Sequence, residues 1–185
     1  MYPFIRLFKE LLVHRNSPPL GPRDVHVSRH ICWPWDIDLW VELNNGRTLT
    51  LYDLGRIPFG QRVGLLAALK KKGWGLTIAG ASVRYRRRIR PMETFTIRSR
   101  LAGWDDRFFY IDQSIWKTSG ECANQALLRS AATGPDGIVP PALVAEAMGI
   151  DTESPPLPAW VAAWADAEST RPWPPEYSPD FNDTV

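Results

Sequence analysis

From Leu76 to Thr133 the chain repeats one pattern, an alternating apolar and polar segment followed by a short turn. "LTIAGASVRYRRRIR" leads into a turn at Pro91. "TFTIRSRL" then sets Phe95, Ile97 and Leu101 against Thr96, Arg98 and Arg100. "GWDDR" reads as a hairpin turn into "FFYIDQSIW", and "KTSGE" turns again into "CANQALLRSAAT". A period of two with connections this short predicts an antiparallel meander of four strands.

Ahead of the meander stand one strand and one long helical stretch. "RDVHVSRHICW" alternates, with Val25, Val27 and Arg29 on one side and His26, Ser28 and His30 on the other, and ends at Pro34. From about Gly46 to Lys72 the leucines Leu51, Leu54, Leu65, Leu66 and Leu69 form a helical stripe, with Asn45 as the expected N-cap. Pro58 and Gly60 are expected to split this helix in two. "KKKGW" ends it, with cations where the helix dipole favours them and Gly73 just beyond.

The 185 residues suit one domain, read here as 21–150, with an N-terminal helix and linker over 1–20 and a proline-rich tail over 151–185. A hydrophobic content of 44% and a charged content of 23% are those of a globular chain with a core. The first fourteen residues place Phe4, Ile5, Leu7, Phe8, Leu11 and Leu12 at helical spacing, interrupted by Arg6, Lys9 and Glu10. Two readings stay open for this amphipathic helix: packing on its own domain or a second subunit, or peripheral contact with a membrane surface. In the tail a short helix is expected around Ala159 to Ala167, and the remaining prolines exclude regular structure.

Several function classes fall away. A net charge of +2 does not imply nucleic acid, and the basic run lacks the interleaved aromatics that stack bases. Cys32 and Cys122 match no metal spacing or disulfide framework, which favours a reducing compartment. No apolar run approaches a membrane span, and the opening residues lack the pattern of a signal peptide, so cytoplasm is the expected location. There is no G-x-S-x-G elbow, glycine-rich phosphate loop or metal-ligand cluster; neither cofactor nor metal is expected. His14, His26 and His30 have no acid or nucleophile at a telling spacing.

"DIDLWVELNN", residues 36–45, resembles the D-x-D-x-x-x-H-x-N-N signature of the 4-hydroxybenzoyl-CoA thioesterase-like family, and "LYDLGR" resembles that family's helix ending in an acid, two residues and an arginine. The likeness runs from about Val25 to Ala132. It implies an α+β hotdog fold, a curled antiparallel sheet wrapped around a long central helix. It also implies an acyl-CoA thioesterase activity on an acyl-CoA or acyl-carrier thioester, with coenzyme A as part of the substrate, and assembly as a homodimer or dimer of dimers. Glu42 stands where the family carries histidine, and Thr48 where many members carry tyrosine.

Thioester hydrolysis needs a carboxylate to attack the carbonyl or activate water, a donor for the developing oxyanion, and an apolar channel for the acyl group. The resemblance assigns the carboxylate to Asp38, and Trp33, Trp35, Leu39 and Trp40 are expected to desolvate it. The bland alternative is that Asp38 caps a turn. Asp36 is expected to hold the loop through backbone N–H groups. Asn44 and Asn45 would brace that loop against the helix start, leaving N–H groups near Gly46 for an oxyanion or phosphate. Glu42 either partners Asp38 or is solvated. Asp53 is a further candidate whose simpler role is an ion pair with Arg56. In "VRYRRRIR" strand alternation would put Arg84, Arg86 and Arg88 on one face, either as a solvated edge or as a cradle for coenzyme A phosphates. A non-catalytic acyl-thioester or lipid-binding protein on the same fold is the competing function.

Overall fold

The computed structural model describes residues 2–175. Its elements run α1 (Phe4–Val13), β1 (His26–Ile31), α2 (Asn45–Arg62), α3 (Leu65–Lys72), β2 (Gly75–Tyr85), β3 (Thr94–Trp104), β4 (Phe109–Lys117), β5 (Cys122–Gly134), β6 (Gly137–Val139), α4 (Pro141–Met148) and α5 (Ala159–Ser169). The strands form one sheet in the order β1-β3-β4-β5-β2, every pairing antiparallel, with β6 folded back on β5. This curled sheet with a central helix is the hotdog architecture. The tail residues beyond 175, including part of the proline-rich stretch, lie outside the described residues.

The inner face of the sheet meets α2 through one core of Leu51, Leu54, Phe95, Ile97, Ile115 and Ala126, all fully buried. A second core joins α3 and α4 to the far end of the sheet through Leu69, Leu128, Ala132 and Val144. Helix and sheet approach closely at Gly55, where an added Cβ would lie 2.6 Å from Ile97 Cγ2 and 2.7 Å from Ser99 Oγ. Only glycine allows that contact.

Three local expectations need correction. The N-cap of α2 is Asn44, whose side chain accepts from the Arg47 N–H, and Asn45 is the first helical residue. The helix runs unbroken through Pro58 and Gly60; the break comes at Gly64, in the left-handed region at φ 83°, which glycine enters at no steric cost. Finally, β2 stops at Tyr85. The N–H groups of both Arg86 and Arg87 donate to the Ala123 carbonyl, which ends regular pairing and the alternation that goes with it.

In β1 it is His26, Ser28 and His30 that face inward, while Val27 is half exposed. These polar residues meet a polar underside of α1. Glu10 lies 3.6 Å from His14 Nε2 and 3.9 Å from His30 Nδ1. His14 and His26 meet edge to face, and Ser28 pairs with His30 Nε2 at 2.8 Å.

Candidate functional site

The motif segment is a single 3-10 turn, Pro34–Asp36, followed by a tight loop into α2. Its two aspartates have opposite surroundings. Asp36 is fully buried and accepts from Arg6 at 2.6 Å, Arg47 Nε at 2.7 Å and the Trp33 N–H at 3.1 Å. Two arginines and a backbone donor repay its desolvation. The Asn44 N–H donates to the Asp36 carbonyl, so this residue ties the loop to the helix start with both side chain and backbone.

Asp38 is only partly buried. Its Oδ1 accepts from the Trp40 N–H at 2.9 Å, closing a turn in which Asp38 N–H also donates to the Glu42 carbonyl. Trp33 and Trp35 stack on each other, and Trp35, Leu39 and Trp40 are exposed. The expected desolvation of Asp38 by tryptophan is therefore not met within one chain. Val41 at the turn's far side has φ 57°, a strained value for a β-branched residue.

Glu42 points into a polar pocket at the N-terminus of α2, lined by Leu43, Asn45, Thr48, Tyr85, Ile89 and Asn124, and by Arg86, Arg87 and Arg88. Arg88 Nε lies 2.8 Å from Glu42 Oε2, at an oblique approach that makes an ion pair rather than a directed hydrogen bond. Tyr85 donates to the Asn45 carbonyl at 3.0 Å, joining the strand end to the first helical residue; burial raises its hydroxyl pKa above the ordinary value. Tyr52, fully buried, donates to Asn124 Oδ1 at 2.5 Å. The first helical turn at Asn45 and Gly46 offers N–H groups that no intrahelical carbonyl can satisfy.

The arginines divide differently from strand alternation. Arg86, Arg87 and Arg88 all line the pocket, because the strand has ended before them. Arg87 also pairs with Glu121 at 2.9 Å. Arg84 is separated from them and lines another depression with Gln125 and Trp160. Asp53 also stands apart from the pocket. It pairs with Arg56 and accepts from the Tyr2 hydroxyl, fastening the N-terminus to α2.

Thr48, Tyr85 and Asn124 were not legible as site residues. Thr48 stood out only as the place of the family's tyrosine and Tyr85 only within the basic run, and nothing in the sequence ties Asn124 to a helix more than seventy residues earlier. An apolar cavity lined by Phe59, Val63, Leu66, Ile111 and Met148 lies at the opposite end of α2. The buried residues Leu51 and Leu54 lie between the two ends. Among the described residues no group of histidines, cysteines and acids is placed to hold a metal ion.

Residues 32–165 match the family described as the thioesterase-like superfamily. Protein THEM6 of Xenopus laevis is 34% identical over 139 residues, which cover 75% of this chain and 66% of that protein. THEM6 of Drosophila melanogaster is 31% identical over 86 residues and is covered to 45%. The chain thus spans less than two thirds of these relatives. Among solved structures, the YbaW probable thioesterase of Escherichia coli superposes with a TM-score of 0.62 at 15% identity, covering 66% of this chain and 96% of that one. A 1,4-dihydroxy-2-naphthoyl-CoA thioesterase of Synechocystis does so with a TM-score of 0.59 at 12% identity, covering 68% and 95%. At such identities these two structures speak for the fold.

Proposed function

As the chain belongs to the thioesterase-like superfamily, we propose that it hydrolyses an acyl-CoA thioester, with the polar pocket binding coenzyme A and Asp38 serving as base in a site completed by a second copy. The observation that carries this reading is the turn Asp38–Glu42. It displays a carboxylate at an apolar tip where Leu39 is 91% and Trp40 72% exposed, directly before the N-terminus of α2. A second copy covering that tip would strip water from Asp38 and raise its basicity. Glu42 is less suited to be the base, because Arg88 already neutralises it.

Pairing has a natural place. β2 ends the sheet with one edge on β5 and both faces largely exposed over eleven residues. Such an edge templates a further strand, and the reading calls for a homodimer or dimer of dimers.

In the reaction, a phosphate of coenzyme A would draw Arg86 while Arg88 stays on Glu42, and the acyl carbonyl would lie at the first turn of α2. Asp38 takes a proton from water as its oxygen attacks the carbonyl carbon. The α2 N–H groups hold the oxyanion. Collapse breaks the C–S bond, and the proton returns to the leaving thiolate.

A turnover screen across acyl-CoA chain lengths with a free-thiol readout tests this, together with sedimentation. A dimer is expected, with Asp38→Asn keeping the dimer and lowering kcat by about a hundredfold or more. A monomer at micromolar concentration, or an Asp38→Asn protein with unchanged kcat, overturns the reading. A second reading, a non-catalytic acyl-thioester binder, is favoured by the engagement of Asp38 in its turn and of Glu42 with Arg88. Binding of acyl-CoA without turnover by the wild type would establish it.

A further inference from the structure

Helix α1 leaves most of its apolar stripe outside: Leu7 packs against the core and Leu11 is half-buried, but the rest of the stripe faces away from the protein. An ordinary surface helix turns its apolar stripe to the core and its charges to water. Here Arg6 and Glu10 face the protein, Glu10 buried to 3% exposure, while Phe4 is 70%, Ile5 88%, Phe8 63% and Leu12 52% exposed. At 100° per residue Phe4, Phe8, Leu12 and Ile5 occupy one continuous arc, with Lys9 and Val13 at its border. The helix cannot roll to hide this arc without breaking the Arg6–Asp36 pair and exposing Glu10 and its histidine partners.

The charge around the arc is of one sign. Glu10 is the sole acid in residues 1–23, which also hold Arg6, Lys9, Arg15 and Arg23. With Glu10 turned inward, the arc is bordered by Lys9, which keeps one bond to Glu10, and by exposed Arg15. Tyr2 and exposed Trp35 line a common depression, so an indole adjoins the first turn. Apolar side chains, flanking cations and a neighbouring indole are the composition of a helix lying in a lipid interface. A second copy is the poorer occupant, since pairing two such faces sets the cations of residues 1–23 against each other while their one acid, Glu10, is buried.

We propose that α1 docks this protein on an anionic lipid surface, with Phe4, Ile5, Phe8 and Leu12 entering the interface and Lys9 and Arg15 against the headgroups. The contact is peripheral: no helix among the described residues is long and apolar enough to cross a membrane. The proposal does not depend on thioester chemistry.

The full chain is sedimented with vesicles of phosphatidylcholine containing phosphatidylserine, and with phosphatidylcholine alone. Expected are binding to the anionic vesicles that weakens with salt, and a loss of about tenfold or more in Ile5→Gln/Phe8→Gln, the scale of withdrawing two large apolar side chains. Both positions are exposed, so the fold should persist, and an unchanged circular dichroism spectrum would verify that. Wild-type protein left in the supernatant, or equal binding by the double variant, overturns the proposal. So does a wild-type dimer that the double variant converts to monomer without any lipid binding, which would make the arc an interface between copies.

Discussion

Asp36 and Arg47 are joined at 2.7 Å across the junction between the motif loop and the first turn of α2, and Arg6 of α1 grips the other carboxylate oxygen at 2.6 Å. One buried carboxylate thus fastens three segments. Asp36→Asn would leave two arginines facing a neutral amide, and breaking a buried pair in this way costs about 3–5 kcal/mol. The variant is expected to lose that much in urea unfolding, and α1 should become more open to proteolysis than the sheet.

At Gly55, α2 lies against Ile97 and Ser99 of β3 with no room for a Cβ. Gly55→Ala improves helix propensity by about 1 kcal/mol, but its methyl would meet Ile97 and Ser99. Ser99 also accepts from Gln113 Nε2, which donates to the Tyr52 carbonyl as well, so a shift there disturbs a buried polar network. The net effect is expected to be destabilising by about 1–3 kcal/mol, read as a lower urea midpoint.

Acid should loosen the layer beneath α1. Burial lowers the pKa of His26 to about 4 and that of His30 to about 3; His14 and Arg62 reinforce the shift at His26, and Arg6 and Lys9 reinforce it at His30. Both rings are neutral in the fold, whereas the unfolded chain takes up protons below its ordinary pKa of about 6.5. The unfolded state then binds more protons, so stability is full above pH 6.5 and declines as pH falls through about 4 to about 3. Tm should drop across that window, and His26→Gln/His30→Gln should flatten the slope even if its Tm at neutral pH is lower.

The arginines separate by position. If Arg86 holds a phosphate of coenzyme A, Arg86→Gln should raise KM several-fold with little change in kcat, since phosphate binding is equal in ground and transition states. Arg84→Gln should leave both unchanged, because Arg84 lines a different depression. Equal effects from both would return the whole run to a solvated edge.

Much of this architecture is written in local order. The alternation over Leu76–Thr133, the turns at "GWDDR" and "KTSGE", and the helical leucines before them specify a strand, a helix and a meander. A period of two or of 3.6 depends only on near neighbours. The motif "DIDLWVELNN" and "LYDLGR" pointed to the family for the same reason, as a short contiguous pattern.

What tertiary structure decided is where each charge ended up. The motif separates the roles of Asp36 and Asp38 but not their surroundings: one is buried between Arg6 and Arg47 and the other closes an exposed turn. The partners of Asp36 come from 30 residues before it and 11 after, and no periodicity encodes that meeting. Arg84 parts from Arg86 and Arg88 because β2 ends at Tyr85, where two N–H groups share the carbonyl of Ala123, a residue on another strand. The amphipathic pattern of α1 was visible, but its outward apolar face follows from Asp36 and the β1 histidines, which claim the charged side of the helix. Desolvation is set by what packs against a group in space, so the sequence by itself determined the elements and their family, while only the fold determined which polar groups were buried and which apolar ones were left in view.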